Sequence, residues 1–406
     1  MAIEVTRRQA LGLASGALLA APAIARAQQA PGVTQGEILL GQTMPYSGPA
    51  SSYAPIGRTE AAYMDFVNAQ GGVNGRKIKL LSLDDGYSPP KTVELTRQLV
   101  ESDRVAAIYQ PLGTPTSVGT RRYLNQRKVP QIFVASGATL FGDRERFPWT
   151  IGWQVSYQIE GRVYARYILD TKPDARIGVI TQNDDSGRDF LKGFRDGLGE
   201  RVKQIVLTQS YEVSDPTIDQ QINNLHQAGA DTLFSSGIPR FTALGLRAVT
   251  SLGWKPLYVI ASVGSSVASA ILPVGAEHAV GLISGAYMKD PSDPQWRDDP
   301  GYQEWLAFMR KYRPGTELTD INNVYGYCAA QTLIPVLKQC GEDFSRENIM
   351  KQAANLKDFR TEVLLPGITI NTSPTDFAPI SQLQLMRFKG ERWELFGDVI
   401  SGDVGG

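Results

Sequence analysis

Hydrophobic and polar positions along this chain alternate between strand-like and helix-like patterns. Short apolar or period-two runs predict strands over residues 37–43, 77–84, 105–110, 131–135, 176–181, 203–211, 231–235 and 257–261. Apolar residues at helical spacing predict helices over residues 53–69, 90–102, 115–127, 157–170, 185–198, 216–228 and 241–252. This order is typical of parallel sheets covered by crossover helices.

The alternation breaks near residues 147–157 and again after Met288. The second break, 289–300, is rich in Asp and Pro and is interpreted as a surface loop. Beyond it the pattern predicts helices over 302–312, 321–339 and 346–354, and strands over 381–389 and 392–396. One sheet of all these strands would be too wide, so we expect an α/β fold with two lobes and a chain that recrosses between them.

The N-terminus has the features of an export signal. Arg7 and Arg8 precede a weakly apolar run, residues 11–25, and small residues end at Ala27. Adjacent arginines favour the twin-arginine route. The run is shorter than the ~20 apolar residues of a membrane span. We therefore expect cleavage near Ala27 and a mature chain that begins at Gln28 in the periplasm.

The charges of the chain balance, with 41 basic and 41 acidic residues among 406. Loss of the signal leaves 38 basic and 40 acidic residues. This lacks the basic excess of a nucleic-acid binder. The length is sufficient for two domains with their own cores.

Cysteine and histidine are scarce. Cys328 and Cys340 lie along one predicted helix, where twelve residues span ~18 Å. Disulfide Cα atoms lie within ~7 Å, so we expect two buried free thiols unless the helix breaks near Gly341. His226 and His278 are far apart in the sequence and are expected at surface or capping positions. We expect no metal site and no cofactor.

Loops that follow strands are the candidate binding segments, because ligands of open parallel sheets lie beyond the strands' carboxyl ends. In loop 111–116, Thr114 before Pro115 has the form of an N-cap with proline at the first helical position. With Gly113 it predicts an anion site at a helix N-terminus. A helix cap without a ligand is the alternative.

Two further loops show related features. Ser136, Gly137 and Ala138 are small and let a ligand approach the main chain, although a tight turn also explains them. Asp185 and Ser186 follow a later strand, in a segment that has the composition of a capped turn. The alternative for that segment is a ligand contact from the second lobe.

Six short motifs in this order carry a resemblance to a known family. They lie at residues 46–49, 68–75, 84–85, 135–138, 182–185 and 252–256. The chain resembles the periplasmic solute-binding proteins of ABC importers, in the branched-chain amino acid (Leu/Ile/Val) receptor family. The resemblance implies two Rossmann-like lobes joined by a three-strand hinge, with the ligand between them. It implies lobe 1 from residues 33–153 and 286–376, and lobe 2 from 154–285 and 377–402.

The same resemblance implies roles for individual residues. Thr114 matches a hydroxyl residue that holds the ligand carboxylate, and Ser136 and Ala138 match the neighbouring loop. Tyr53 matches a tyrosine at the cleft mouth. Ser186 stands where the amino acid receptors have a tyrosine, so aromatic stacking is not expected there.

One departure concerns the ligand's ammonium group. The amino acid receptors have a glutamate in the segment that reads Ser262 to Ser266 here, and this chain has no acid there. Ser262, the first residue of that segment, is the candidate ligand contact from this loop. Burying an ammonium group without a counter-charge costs roughly several kcal/mol of binding free energy. Either Asp184 or Asp185 replaces the glutamate, or the ligand has no ammonium.

Aromatic residues are frequent near the predicted cleft, namely Tyr46, Tyr53, Tyr87, Trp153 and Tyr157. Residues 149–154 also resemble family members that take up aromatic acids. Core or hinge packing is the favoured role for Trp149 and, narrowly, for Trp153.

We therefore expect a non-enzymatic, monomeric receptor for a small carboxylate, with an aromatic acid as the favoured ligand, that docks transiently on an inner-membrane ABC permease. Thr114 and Ser136 would hold the carboxylate, and Tyr53 and Tyr157 would contact the ring. An aliphatic amino acid or amide receptor and a ligand-sensing subunit of a signalling system are the alternatives. A hydrolase or dehydrogenase is disfavoured, because the first strand is followed by neither G-x-S-x-G nor G-x-G-x-x-G.

Overall fold

The computed structural model describes residues 30–402, which fold into two α/β lobes. The predicted signal, its cleavage near Ala27 and the start at Gln28 lie outside the described residues. Each lobe is built on its own sheet, which confirms the predicted fold class. The lobes are named lobe 1 and lobe 2 in the order in which their sheets begin.

Lobe 1 contains five parallel strands. They are β1 (Glu37–Met44), β2 (Lys77–Asp84), β3 (Ala107–Tyr109), β4 (Gln131–Val134) and β5 (Thr150–Gly152). Their order in the sheet is β2-β1-β3-β4-β5. The crossover helices are α1 (Ala54–Ala69), α2 (Pro89–Arg97) and α3 (Thr114–Gln126). This arrangement directs the loops after β3 and β4 to the same edge of the sheet.

Lobe 2 begins with helix α4 (Tyr157–Thr171) and contains a seven-stranded sheet. Its parallel strands are β6 (Ile177–Gln182), β7 (Ile205–Tyr211), β8 (Thr232–Ser236), β9 (Leu257–Ile260) and β10 (Ile283–Ala286). The helices among them are α5 (Asp185–Leu198), α6 (Asp219–Gln227) and α7 (Pro239–Ser251). β6 is buried at every position, which explains the apolar run over residues 177–180.

The chain then returns to lobe 1 before it ends in lobe 2. Helices α8 (Pro300–Tyr312), α9 (Ile321–Gln339) and α10 (Arg346–Ala353) follow β10, and α9 packs on α1. The last strands, β11 (Gln382–Phe388) and β12 (Trp393–Ser401), extend the lobe 2 sheet with antiparallel pairing. Beside the crossing after β10, the N–H of Lys289 donates to the carbonyl of Val363 (2.8 Å).

Helices α4 and α5 pack with their backbones in contact. A Cβ atom at Gly193 would lie 2.2 Å from the carbonyl oxygen of Gln158, and one at Gly161 would lie 2.6 Å from that of Phe190. Glycine is therefore needed at both positions for this approach. The contact matters for the cleft, because α4 begins at Tyr157 and α5 carries Phe190.

Most predicted elements are present within a few residues of their expected ends. The sequence patterns missed β5 and β10, and β12 extends past the predicted end at Phe396. Cys328 and Cys340 are buried free thiols, as expected. The residue boundaries given above for the two lobes stay a prediction.

Within residues 30–402, no helix combines the length and the apolar character that a membrane crossing requires. The same residues contain no group of three or more His, Cys, Asp or Glu side chains arranged to hold a metal ion.

Candidate functional site

A cavity of about 90 Å³ lies between the two lobes, next to a wider cleft of about 1100 Å³. Tyr87 of lobe 1 and Gln182 of lobe 2 line both, so the cavity forms the inner end of the cleft. Among the described residues that line the cavity there is no Lys, Arg or His, and Asp290 is the acidic one. A charged ligand would therefore meet uncharged groups, both apolar and polar, over most of the wall.

The first wall is the start of α3. Gly113, rather than Thr114, is the N-cap residue, which corrects the sequence prediction. Gly113 has a φ of 103°, and a Cβ there would lie 2.4 Å from the Tyr87 ring, so both backbone and packing require glycine. Thr114 is the first helical residue, and its hydroxyl makes no capping hydrogen bond. That hydroxyl is consequently available for another partner.

The partner is Ser136, in the loop after β4. The hydroxyl oxygens of Thr114 and Ser136 lie 2.7 Å apart, and both residues are buried. The N–H of Ala138 donates to the Ser136 hydroxyl (3.1 Å), and the N–H of Gly113 donates to the carbonyl of Ala135 (3.2 Å). The structure therefore brings the two predicted loops together, beside the first N–H groups of α3, which have no partner within the helix.

Gly137 and Ala138 lie behind this wall and do not line the cavity. A Cβ at Gly137 would lie 2.1 Å from the carbonyl oxygen of Val155. The Gly137 carbonyl accepts a hydrogen bond from the N–H of Tyr157 (2.8 Å). Gly137 thus joins the β4 loop to the start of α4. Ser136 does not line the cavity either, but its hydroxyl contacts that of Thr114, which does.

Tyr157 is part of a buried polar chain. Its hydroxyl accepts a hydrogen bond from the side-chain amide of Gln154 (3.0 Å), whose oxygen accepts one from the hydroxyl of Tyr325 (3.1 Å). The Tyr157 ring stacks on Phe190, with centroids 4.1 Å apart. Burial raises the pKa of Tyr157, so its phenol stays neutral. All four residues line the cavity.

Three other predicted residues also line the cavity, Tyr53, Ser186 and Ser262. The Tyr53 hydroxyl donates to the carbonyl of Val263 across the lobe boundary (2.8 Å). The N–H and hydroxyl of Ser262 donate to the Glu160 carboxylate (3.0 and 2.7 Å), which fixes the loop after β9.

The two candidate acids of lobe 2 are occupied elsewhere. Asp185 pairs with Arg188 (2.7 Å) and does not line the cavity. Asp184 caps α5 by accepting from the N–H of Gly187 (3.1 Å), and its other oxygen accepts from the amide of Gln182 (2.6 Å).

Sequence reasoning missed the cavity residues that the recrossing chain contributes. Asp290, Asn322 and Tyr325 line the cavity from the crossing segment and from the start of α9. The Asp-rich break after Met288 was the available signal, but its interpretation as a surface loop was wrong for its first part, because Lys289, Asp290 and Asp293 are buried. Trp153 is fully buried and donates to the hydroxyl of Thr332 (3.1 Å), which supports the packing role.

A family model described as "Periplasmic binding protein" matches residues 37–392. This chain belongs to the periplasmic binding proteins. The match confirms the resemblance to the branched-chain amino acid receptors, and membership of the family implies a periplasmic location and a receptor rather than an enzyme.

Individual members of the periplasmic binding proteins agree with this assignment. The Leu/Ile/Val-binding protein homolog 1 of Brucella abortus is 24% identical over 318 residues, 78% of this chain and 82% of the relative. A branched-chain amino acid ABC transporter structure from Thermus thermophilus with bound valine has a TM-score of 0.80 at 17% identity, over 91% of this chain and 97% of that one.

A fatty acid ABC transporter substrate-binding protein from Thermomonospora curvata has a TM-score of 0.75 at 19% identity, over 93% of this chain and 95% of that one. At these identities the two structures establish the fold of this chain and leave its ligand open.

Proposed function

We propose that this protein is the substrate receptor of an ABC importer and holds a small carboxylate between its lobes. The observation that carries the proposal is the buried hydroxyl pair of Thr114 and Ser136 at the N-terminus of α3. Helix N-termini bind anions through free N–H groups and the positive end of the helix dipole. Charge-assisted hydrogen bonds of this kind contribute about 1.5–3 kcal/mol each.

The wall supports a ligand with an aromatic or apolar body. The stacked rings of Tyr157 and Phe190 offer a flat surface, and Tyr53, Tyr87 and Tyr325 surround the same space. Offset or edge contacts with such rings contribute about 0.5–1.5 kcal/mol each beyond burial. An aromatic acid is one ligand class that fits these features.

An aliphatic amino acid is the second candidate, and the relatives favour it. Their names specify Leu, Ile and Val, and the Thermus structure contains valine. Against this, residues 262–266 supply no acid, and Asp184 and Asp185 are both engaged. The name of the Thermomonospora relative refers to a fatty acid, which has no ammonium group.

In this proposal the protein is exported with a twin-arginine signal, works as a monomer and closes its lobes on the ligand. Closure is driven by the ligand's higher affinity for the closed state. The closed form docks on an inner-membrane permease. A ligand-sensing subunit that acts on a signalling partner instead of a permease would bind its ligand in the same cleft.

Thr114→Ala tests the carboxylate site. The variant should bind ligand more weakly by about 1–3 kcal/mol without loss of fold, because one charge-assisted bond is removed. Isothermal titration calorimetry measures the difference, with Thr250→Ala on an exposed position of α7 as the matched control. Unchanged affinity in the Thr114 variant would contradict the assignment.

A thermal-shift screen separates the ligand classes. The screen compares benzoate-type acids, leucine and valine with their amides, and a compound that binds raises the melting temperature once its concentration exceeds the dissociation constant. A shift with the acids and none with the amides would support the carboxylate site. Shifts of equal size with both would contradict it.

A further inference from the structure

Glu60 is a carboxyl group in the interior of lobe 1, and one of its oxygens has no partner. It lies on α1, one turn after Ile56, and 0% of its surface is exposed. Oε2 accepts a hydrogen bond from the side-chain amide of Gln42 on β1 (2.5 Å). Oε1 has no hydrogen-bond partner among residues 30–402. An ionised carboxylate in this position would be costly, because it has lost its water and gained one donor.

Glu160, a buried glutamate of lobe 2, shows how a paired carboxylate is held. It accepts hydrogen bonds from the N–H and the hydroxyl of Ser262 (3.0 and 2.7 Å) and from the hydroxyl of Tyr164 (2.7 Å). Each such donor offsets part of the cost of burying the charge. Glu60 has one donor where Glu160 has three, so a charge on Glu60 would be less well stabilised.

The hydroxyl of Tyr109 on β3 faces the same carboxyl group. It is close enough to affect the pKa of Glu60, but it lies outside hydrogen-bond geometry and has no partner among the described residues. A proton on Oε1 supplies a donor, which can bond to the Tyr109 oxygen while Oε2 still accepts from Gln42. The neutral acid therefore fits this cluster better than the anion. Burial raises the pKa of Glu60 well above its ordinary 4.5, in agreement with the geometry.

No cation among residues 30–402 offsets a charge on Glu60. Burial and the bonds to Gln42 and Tyr109 account for its pKa, without a contribution from a charged side chain. Arg58 and Arg313 lie at the outer end of the cluster, where they affect the pKa of Tyr46. They are too far out to serve as counter-ions for Glu60.

The titratable neighbours of Glu60 are neutral. Burial raises the pKa values of Tyr46, Tyr109 and Tyr325, and the negative charge of an ionised Glu60 would raise them further. Tyr63 on α1 and Cys328 on α9 lie near Tyr109, and burial raises both of their pKa values to about 12. No positive charge therefore reaches Glu60 from β1, β3, α1 or α9.

The cluster is closely packed and adjoins the inter-lobe cavity. A Cβ at Gly57 would lie 2.5 Å from the Tyr46 hydroxyl and 3.1 Å from Oε1 of Gln42, so α1 approaches these groups closely. Ile56 and Tyr325 line the cavity, and Ile56 is on the same face of α1 as Glu60. A charge on Glu60 would thus lie behind the cavity wall.

We propose that Glu60 keeps its proton in the folded receptor at neutral pH and is a pH-sensitive switch behind the cavity wall. As the neutral acid it donates to Tyr109 and leaves the wall uncharged. Loss of the proton at alkaline pH puts a buried negative charge behind Ile56 and Tyr325. This inference does not depend on which ligand the cavity binds.

Urea unfolding of the purified protein between pH 5.5 and 8.5 tests the proposal. Above about pH 4.5 the unfolded chain releases the proton of Glu60 while the folded protein keeps it, so wild type should lose stability as the pH rises. Glu60→Gln cannot titrate. Its unfolding equilibrium constant relative to wild type should therefore fall about tenfold for each pH unit. Asp65→Asn, at an exposed position of α1, should follow wild type at every pH.

Infrared spectroscopy in D₂O at neutral pH detects the proton directly. The folded wild type should show the C=O stretch of an un-ionised carboxylic acid that is lost in Glu60→Gln and kept in Asp65→Asn. Tyr109→Phe removes the hydroxyl beside Glu60 and should shift this band, which identifies Glu60 even if Glu60→Gln does not fold.

The outcomes decide the assignment in either direction. A band that is lost in Glu60→Gln or shifted in Tyr109→Phe, together with the pH-dependent difference in unfolding, would support it. A spectrum that neither substitution changes would overturn it. Parallel pH profiles of wild type and Glu60→Gln would also overturn it, because Glu60 would then bind the same number of protons in the folded and unfolded states.

Discussion

Buried side chains at this cavity hold their protons more tightly than free side chains do. Burial raises the pKa values of Tyr53, Tyr157 and Tyr325, which therefore remain neutral and present hydroxyl groups to the cavity. Burial also raises the pKa of Glu160, which accepts both donors of Ser262. Asp290 differs from them because it is mostly charged at neutral pH while the tyrosines are not.

Asp290→Asn should stabilise the free protein at neutral pH. The pKa of Asp290 is raised from an ordinary 3.8 to about 6, so the fold disfavours the ionised form. That penalty is fully present above pH 6 and vanishes as the pH falls below 3.8. A shift of this size corresponds to at most about 3 kcal/mol.

Urea unfolding at pH 7.5 and pH 4 measures this effect. The variant's gain in unfolding free energy should be present at the higher pH and small at the lower one. A variant that is less stable than wild type at pH 7.5 would contradict the assignment of Asp290 as an unfavourable charge.

At the scale of helices and strands, sequence patterns predicted the elements whose ends are set by nearby residues. β1 and α5 begin where the sequence analysis places them, because apolar periodicity and capping residues define them. β5 and β10 were missed, since three or four buried residues show no periodicity. The cap of α3 was assigned one residue late, because the backbone at Gly113 depends on packing against Tyr87.

The residues of the candidate site likewise include some that local sequence reveals and others that only the tertiary fold brings to the cavity. Thr114 and Ser136 follow strands and could be selected from the sequence. Asp290 and Tyr325 reach the cavity because the chain recrosses after β10, which is a property of the tertiary fold and leaves no local pattern.

The contact between α4 and α5 gives a prediction at this scale. Gly193→Ala should destabilise the protein by about 1–3 kcal/mol, because the added methyl group would overlap the carbonyl of Gln158. Gly119→Ala is the matched control, since its Cβ would meet only ordinary contacts at 3.6 Å or more on an exposed face of α3.

The Gly119→Ala control should be more stable than wild type by up to about 1 kcal/mol, because alanine has a higher helix propensity than glycine. Chemical denaturation measures both variants. Equal effects in the two glycine variants would show that the helices do not need this close approach.

At the scale of the whole molecule, hydrogen bonds join the two lobes. Tyr53 of lobe 1 donates to Val263 of lobe 2. The N–H and hydroxyl of Thr139 in lobe 1 donate to the carboxylate of Asp189 on α5 (2.8 and 2.7 Å). We expect these contacts to favour this arrangement of the lobes over a more open one, and a ligand between the lobes to add to that preference.

Asp189→Ala should shift the ligand-free protein toward open forms. Its radius of gyration in small-angle X-ray scattering should increase, and its apparent affinity should fall about 5- to 10-fold, because a smaller fraction is competent to retain ligand. Asp185→Ala on the same helix is the control, since that carboxylate pairs with Arg188 within lobe 2. An unchanged radius together with unchanged affinity would show that the Thr139 contact does not hold the lobes.

The two buried thiols have a practical consequence. Burial raises the pKa of Cys328 and that of Cys340 to about 12, so neither forms a reactive thiolate under mild labelling conditions. A single cysteine introduced at Ser51, exposed on the rim of the wider cleft, can then carry an environment-sensitive dye without background labelling. A receptor labelled in this way would report ligand binding as a change in fluorescence.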